Sequence, residues 1–478
     1  MGKQNETPSI ALYDRLASEI SSQIERGVYR PGDRLMSVRQ TRQEKAVSVS
    51  TVLQAYRLLE DKGLIEARPA SGYYVTARPF QSTSLPEPEI SAPPLDPSNV
   101  RTDELMRMVL RQSLREDLVQ FGTAIPAPDL LPITRLNRIM IRMIRENAYP
   151  STTCPTSGGC MEFRQQIVRK LAKLNCTVST EEILVTAGCM EAISLALHAT
   201  CKPGDLVAVE SPTYFGILQA LEAAGLRALE IPTHWRDGIS LDALEFALEH
   251  HPVRAVVVVP NFQNPLGGCM PEQNKQAMVD LLARYEVPLI EDDIYGELAF
   301  GDRRPGLAKA YDRDGLVITC SSFTKDIAPS YRIGWVIAGR FHQKMEMLKM
   351  TLNIGTAILP QLVIAEFLEN GRYDHIMRTV RRAYEQRIIH MAQSIQRYFP
   401  DGTRLTKPLG GFVLWVQLPE NVDSLVLYEK ALRAGILIAP GYMFSTTDKY
   451  RNFIRLNAAY MNFATERAIA RLGELAGG

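Results

Sequence analysis

Between Arg78 and Val100 prolines stand at positions 79, 86, 88, 93, 94 and 97 among serine, threonine and glutamate. Proline lacks the N–H that a helix or a central strand needs, so no packed element forms through this stretch and an extended, semi-rigid segment is expected. The chain must therefore fold as separate bodies on either side. Its 478 residues, 46% of them hydrophobic, suit two or three domains with a large core. Net charge is +1, which hides an asymmetry: residues 1–79 hold 12 Lys/Arg against 9 Asp/Glu, and the remainder is slightly acidic. A polyanion partner is thus suggested at the N-terminal end only. The seven cysteines are scattered without a Cys-x-x-Cys pair, reading as reduced thiols and not as a disulfide framework or zinc site. No signal peptide or membrane-spanning run is visible, and the expected location is the cytoplasm.

Residues 1–79 show Leu12, Leu16, Ile20 and Ile24 at helical spacing, a second helix capped by Ser37, and a third from about Ser50 to Lys62 with Val52, Ala55, Tyr56 and Leu59 inward. Gly63 is expected to end that helix, and Leu64–Arg68 and Gly72–Thr76 read as a two-stranded wing. This order describes a winged helix-turn-helix, whose third helix carries Ser48, Ser50 and Thr51 near its start, hydroxyls suited to phosphates and base edges of double-stranded DNA. Pro31-Gly-Asp-Arg-Leu35, Ser37-Val-Arg39, Ser50-Thr-Val52, Ala55-Tyr56 and Lys62-Gly-Leu-Ile65 resemble the GntR family of DNA-binding domains. The resemblance implies Arg34 and Arg39 as further DNA contacts. Val49 stands where an arginine often reads a base in that family, and Met36 where proline is usual.

Residues 80–115 read as the proline-rich linker and a lead-in helix with Leu105, Met108, Val109 and Leu114 on its apolar side; the body follows over 116–478. There, apolar β-branched runs at 183–186, 206–209, 255–259, 287–290, 316–319 and 334–337 alternate with helical stretches, the pattern of an α/β fold with a largely parallel sheet buried on both faces. Ligands gather at the strand ends of such sheets. Just after these runs lie a glycine turn opening a helix (Gly188, Cys189), Tyr214, Asn264, Asp292 with Tyr295 three positions on, and Ser322-Phe-Thr-Lys325 followed by Arg332. A helix start and an arginine suit a phosphate, a carboxylate can hold a pyridine nitrogen protonated, and a lysine with a lowered pKa can attack an aldehyde. The run Glu291-Asp292-Asp293 also admits a divalent-metal site, though nothing else converges on it, and no metal is expected.

In this order the constellation resembles the fold type I pyridoxal-phosphate enzymes, specifically class I/II aminotransferases. The resemblance implies pyridoxal 5'-phosphate as cofactor, with Lys325 as Schiff-base lysine, Asp292 on the ring nitrogen, Tyr295 and Asn264 on the ring oxygen and Tyr214 stacked on the ring. It further implies Ser322, Arg332 and the amides near Gly188 and Cys189 on the phosphate, and Arg455 on a substrate carboxylate. Cys189-Met190 replaces the polar pair usual at the phosphate helix, and Thr153 or Cys154 falls where a tyrosine is usual, Tyr149 lying earlier. Head, tether and body together resemble the MocR-type transcriptional regulators. That implies a homodimer whose body senses pyridoxal phosphate or an amino compound and alters the head's grip on DNA. The alternative is a working aminotransferase carrying a DNA-binding appendage.

Overall fold

The structure, a computed structural model, describes residues 12–25, 28–29, 32–61, 64–68, 71–76, 84–90, 95–100, 104–146, 156–301, 303–370, 372–462 and 464–478. It divides into two compact units, 1–83 and 84–478.

In the first unit α1 (Leu12–Glu25), α2 (Val38–Lys45) and α3 (Val49–Asp61) precede the antiparallel strands β1 (Ile65–Arg68) and β2 (Gly72–Val75). Their core is Leu16, Ile20 and Ile24 of α1 against Val52, Ala55, Tyr56 and Leu59 of α3, all buried. Leu12, expected inward, is 62% exposed, one turn before the buried Leu16. Ser37 caps α2 through a full capping box with Gln40, which satisfies two otherwise orphaned N–H groups. Tyr56 Oη lies 2.7 Å from Thr41 Oγ1 and donates to Met36 O at 2.8 Å, tying α3 to α2 and the loop before it. Gly63 lies outside the described residues.

The second unit is built on a nine-stranded sheet. Its strands are β3 (Ser98–Asn99), β5 (Ile183–Thr186), β6 (Leu206–Ser211), β7 (Arg227–His234), β8 (Gly238–Ile239), β9 (Val253–Val258), β10 (Leu289–Asp292), β11 (Val317–Ser322) and β12 (Gly334–Ile337), while β4 (Val119–Gln120) pairs elsewhere. The order is β3-β7-β6-β9-β10-β11-β12-β5, with β8 on β7; β7, β6, β9, β10 and β11 run parallel, and β12 is antiparallel to both neighbours. Alternate residues supply two cores on opposite faces: Val207, Val209, Val257 and Ile290 on one, Ala208, Val256, Val258 and Leu289 on the other. Strand β7 escapes an apolar-run reading because charged, proline and histidine residues interrupt it. A smaller antiparallel sheet has the order β13 (Arg404–Leu405), β14 (Val413–Gln417), β17 (Phe453–Asn457), β16 (Ala439–Pro440), and β15 (Ile436–Leu437) pairs with β4.

The lead-in helix spans Glu104–Gln112 and buries Met106 and Val109, whereas Met108 and Leu114, expected inward, are exposed. Residues 84–90 of the proline-rich stretch lie on the body. Glu87 accepts from Trp235 Nε1 at 3.2 Å and pairs with Arg236 at 2.5 Å, Pro86 O accepts from Leu405 N at 3.0 Å, and Glu89 pairs with Arg404 at 2.8 Å. Glu89 N also donates to Gln417 Oε1 at 2.9 Å and Ser84 Oγ accepts from Gln396 at 2.7 Å, so the non-proline residues supply the polar contacts that prolines, without an N–H, supply only through their carbonyls. Among the described residues no helix is long and apolar enough to cross a membrane.

Candidate functional site

At the carboxyl ends of β6, β9, β10 and β11 a cavity of about 170 Å³ is lined by Cys189, Tyr214, Asn264, Asp292, Tyr295, Lys325 and Arg332, seven of the residues read from the sequence. Met190, Val259, Ile294 and Thr324 complete it. The period of two along β10 explains why only one acid of the Glu291-Asp292-Asp293 run is present. Glu291 turns to the other face, accepting from Ala308 N at 2.7 Å and Thr319 Oγ1 at 2.9 Å, while Asp293 pairs with Arg304 and accepts from Asn261 at 2.8 Å. Among the described residues no cluster of His, Cys, Asp or Glu could hold a metal.

Lys325 Nζ donates to Ala124 O at 2.6 Å and sits 5.8 Å from the centre of the Tyr295 ring. Burial, followed by the nearby Arg455 charge, brings its pKa down from 10.5 to about 8. Near neutral pH a useful fraction of this amine is therefore unprotonated and nucleophilic. Asp292 Oδ1 accepts from Ile294 N and from Cys189 Sγ, each at 3.1 Å, and burial pushes the carboxyl up to about 6. Asn264 Nδ2 lies 3.5 Å from Tyr295 Oη, and burial raises the Tyr295 phenol, keeping it a proton donor. Tyr214 leads into the helix Phe215–Ala223, and its phenol is pushed up to about 12 by burial. Gly216 is required there, since a Cβ would come within 2.4 Å of the Tyr214 ring.

At the other end of the cavity Gly188 (φ 92°) opens the helix Cys189–Thr200, and Arg332 (φ 53°) reaches across it to Ala187 O at 3.3 Å. A side chain at 188 would meet Arg332 Nη2 at 2.5 Å. The first-turn amides and the positive helix end face the same region as that guanidinium, an arrangement for an anion. Three sequence-read residues do not line the cavity. Gly188 lies beneath Arg332, Ser322 gives its hydroxyl to Thr324 Oγ1 at 2.9 Å, and Arg455 stands behind Asn264.

Arg455, in the middle of β17, is fully buried. Its Nη1 donates to Asn264 Oδ1 at 3.2 Å and Nη2 to Gly122 O, but Nε has no partner among the described residues. Burial brings it down to about 10. An orphaned donor on a buried cation costs stability, so its retention points to an anion. Asn457 donates to Thr123 O at 2.6 Å and Ile125 O at 2.9 Å, which fixes the strip carrying the Gly122 and Ala124 carbonyls. Those carbonyls could not be read from the sequence; Thr324 could, as a hydroxyl inside the Ser-x-x-Lys run.

In the head, Arg34, Arg39, Ser48 and Ser50 are exposed and Thr51 is half-buried. Ser48 caps α3, accepting from Thr51 N at 3.0 Å, with its oxygen 2.7 Å from the hydroxyls of both Ser50 and Thr51. Gln54 and Arg57 are also exposed and share the Ser50 face of α3, a helical spacing not singled out in the sequence reading. The positions 149, 153 and 154, considered above for a tyrosine, lie outside the described residues.

Comparison with known proteins gives two family matches: aminotransferase class I and II over residues 130–472, and bacterial regulatory proteins of the gntR family over 12–75. The HTH-type transcriptional regulator YjiR of Escherichia coli is 38% identical over 97% of this chain and 98% of its own. Among solved structures, Pyrococcus horikoshii kynurenine aminotransferase, in complex with PMP, is 29% identical with a TM-score of 0.74 over 79% of this chain and 95% of its own. LysN, the α-aminoadipate aminotransferase of Thermus thermophilus complexed with N-(5'-phosphopyridoxyl)-L-leucine, is 28% identical with a TM-score of 0.72 over 77% and 94%. With a gntR-family head, a class I and II aminotransferase body and end-to-end likeness to a helix-turn-helix regulator, the chain belongs to the MocR-type transcriptional regulators.

Proposed function

We propose that this regulator binds double-stranded DNA through Arg34, Arg39, Ser48, Ser50 and Thr51, and that its body holds pyridoxal 5'-phosphate and senses that cofactor or an amino compound joined to it. The observation that carries the reading is the Lys325 amine, depressed to about 8, in one cavity with a buried carboxylate and a guanidinium beside a helix start. The cavity, with Asp292 and Arg332 both in its lining, fits a substituted pyridine with an anionic substituent, and the unpartnered Nε of Arg455 fits a carboxylate on an amine joined to it. The phosphopyridoxyl compounds held by the two aminotransferases above support the same assignment.

When bound, the cofactor supplies an aldehyde carbon that condenses with amines and a ring that withdraws electrons from them. Lys325 would be the covalent anchor, Asp292 would keep the ring nitrogen protonated, and Tyr295 and Asn264 would donate to the ring oxygen. Tyr214 covers the ring face. Arg332, the amides of Gly188 and Cys189 and Ser322, once its hydroxyl turned from Thr324, would hold the phosphate, and Arg455 would grip a carboxylate on the incoming amine. An amino compound seated there would change the surroundings of Lys325 and Arg455, two charge-bearing groups buried in the body. Signalling then requires only that two states of the body differ in their DNA affinity. A homodimer, whose two heads would suit repeated half-sites, is supported by Ile133, Ile141 and Ile144, a stripe 46–52% exposed on one helix.

The test is the absorption spectrum of the protein supplied with pyridoxal phosphate, before and after borohydride, beside Lys325→Ala. A band that borohydride bleaches in the wild type and that is absent from the variant is expected; a protein that stays colourless refutes the reading. An amine screen against capture of chromosomal DNA fragments follows. The second reading, a turning-over aminotransferase, draws on the intact Lys325–Arg455 pair. Keto product released over many turnovers would favour it, and a stoichiometric adduct would favour the sensor.

A further inference from the structure

The helix at the anionic end of the cavity starts with Cys189 and Met190, and neither is the polar donor usual at that place. The structure accounts for the cysteine. Its Sγ turns from the helix start to the Asp292 carboxylate at the other end of the site and donates to Oδ1 at 3.1 Å, well within the reach of a sulfur donor.

The direction of that bond follows from a competition. A helix N-terminus favours a thiolate. Here Cys189 is only 3% exposed, and burial together with the Asp292 and Cys320 groups raises the thiol well above its ordinary range. It is therefore S–H near neutral pH, and the carboxylate accepts. Asp292 receives one other donor, Ile294 N, on the same oxygen, so Oδ2 takes no donor among the described residues. The last torsion of an aspartate is broad, and one backbone N–H alone leaves it free to swing. Two donors converging on Oδ1 from different elements fix the plane of the group. Also acting on Asp292 are Lys325, which favours the charged form, and Asp293, Glu210, Cys320, Tyr214 and Tyr295.

Resting on the cofactor reading above, we propose that Cys189 is a positioning residue: its thiol locks the Asp292 carboxylate so that Oδ2 is presented to the ring nitrogen, and only its backbone amide, not its side chain, is left for the phosphate. The anionic end is then left to Arg332, hydroxyls and backbone amides. The apparent gap in the phosphate site is a side chain reassigned to the ring.

The test compares wild type, Cys189→Ala and Cys189→Ser, each loaded with pyridoxal phosphate or with pyridoxal, which has no phosphate. Thermal unfolding verifies that each is folded, and Cys189→Ser, which keeps a donor, serves if the alanine variant does not fold. In Cys189→Ala both ligands should bind about three- to tenfold more weakly, by the same factor, as expected when one more side chain, the freed Asp292 carboxylate, must be immobilised on binding. In 15N spectra of ring-labelled cofactor, the protonated ring nitrogen should be lost at lower pH in Cys189→Ala than in wild type. The serine variant should fall between the two. A loss confined to the phosphorylated ligand would overturn the proposal, because residue 189 would then be a phosphate donor. So would ring-nitrogen titration unchanged in both variants. Failure of wild type to bind either ligand would instead refute the cofactor reading, and this inference with it.

Discussion

Replacing Lys325 by methionine, a side chain of similar length without the amine, should stabilise the cofactor-free body near neutral pH. The folded protein holds this amine at about 8 against an ordinary 10.5, so keeping it protonated inside costs about 3 kcal/mol. Methionine also gives up the 2.6 Å bond to Ala124 O, worth ~1 kcal/mol, so a net gain of about 2 kcal/mol is expected. The sign of the pH dependence follows from proton counting. Between pH 8 and 10.5 the unfolded wild type binds more protons than the folded one, so its stability climbs through that window. Below pH 8 the full penalty stands. The advantage of Lys325→Met should therefore be flat up to about pH 8 and fade by about 10.5. Denaturant midpoints of both proteins, freed of cofactor and measured at pH 7 and pH 10, read this directly. A variant no more stable than wild type at pH 7, or an advantage independent of pH, would refute the claim that the amine is held desolvated. The destabilisation is the counterpart of function, since a lysine fully at ease would be fully protonated.

Arg455→Ala should weaken binding of carboxylate-bearing amines to the loaded body about a hundredfold, the loss of a bidentate charged contact, while amines without a carboxylate are hardly affected; an amine titration of the spectrum measures both. Arg39→Ala should lower affinity for DNA and reduce the salt slope of binding by about one, and unchanged affinity would remove Arg39 from the interface. Glu297 pairs with Lys170 and Arg304 at 2.9 Å and with Arg381 at 3.3 Å; Glu297→Gln leaves these cations facing a neutral group and should destabilise the body by about 3–5 kcal/mol, seen as a lower denaturant midpoint. Glu87→Ala removes the acceptor shared by Trp235 and Arg236, and limited proteolysis should cut residues 84–90 faster than in wild type.

That network around Glu297 lies behind the segment bearing Lys325. Asp326, next in sequence, accepts from Tyr373 at 2.6 Å in a second small cavity bordered by Lys170, Glu297 and Arg304. Lys325 therefore projects from a strip pinned on its far side by buried ion pairs. A strip so held would lose little side-chain freedom if Lys325 became bonded as proposed.

The order of elements and most of the cavity were legible in the chain because both rest on local rules. Burial on both sheet faces forces continuous apolar runs, and the residues that follow those runs must lie at one edge, which is how Asp292, Lys325 and Asn264 could be named together. Capping chemistry announced Ser37 in the same way. Tertiary structure decided whatever depends on two distant segments meeting. It turned the Cys189 thiol to Asp292, 103 positions away, and brought the carbonyls of Gly122 and Ala124 to Arg455 and Lys325. It laid Pro86–Glu89 on the body, where a proline-rich segment by itself suggests only a spacer. Which way a side chain faces is set by periodicity and can be counted along the chain, but which partner it finds is set by packing between elements, and no local pattern encodes that.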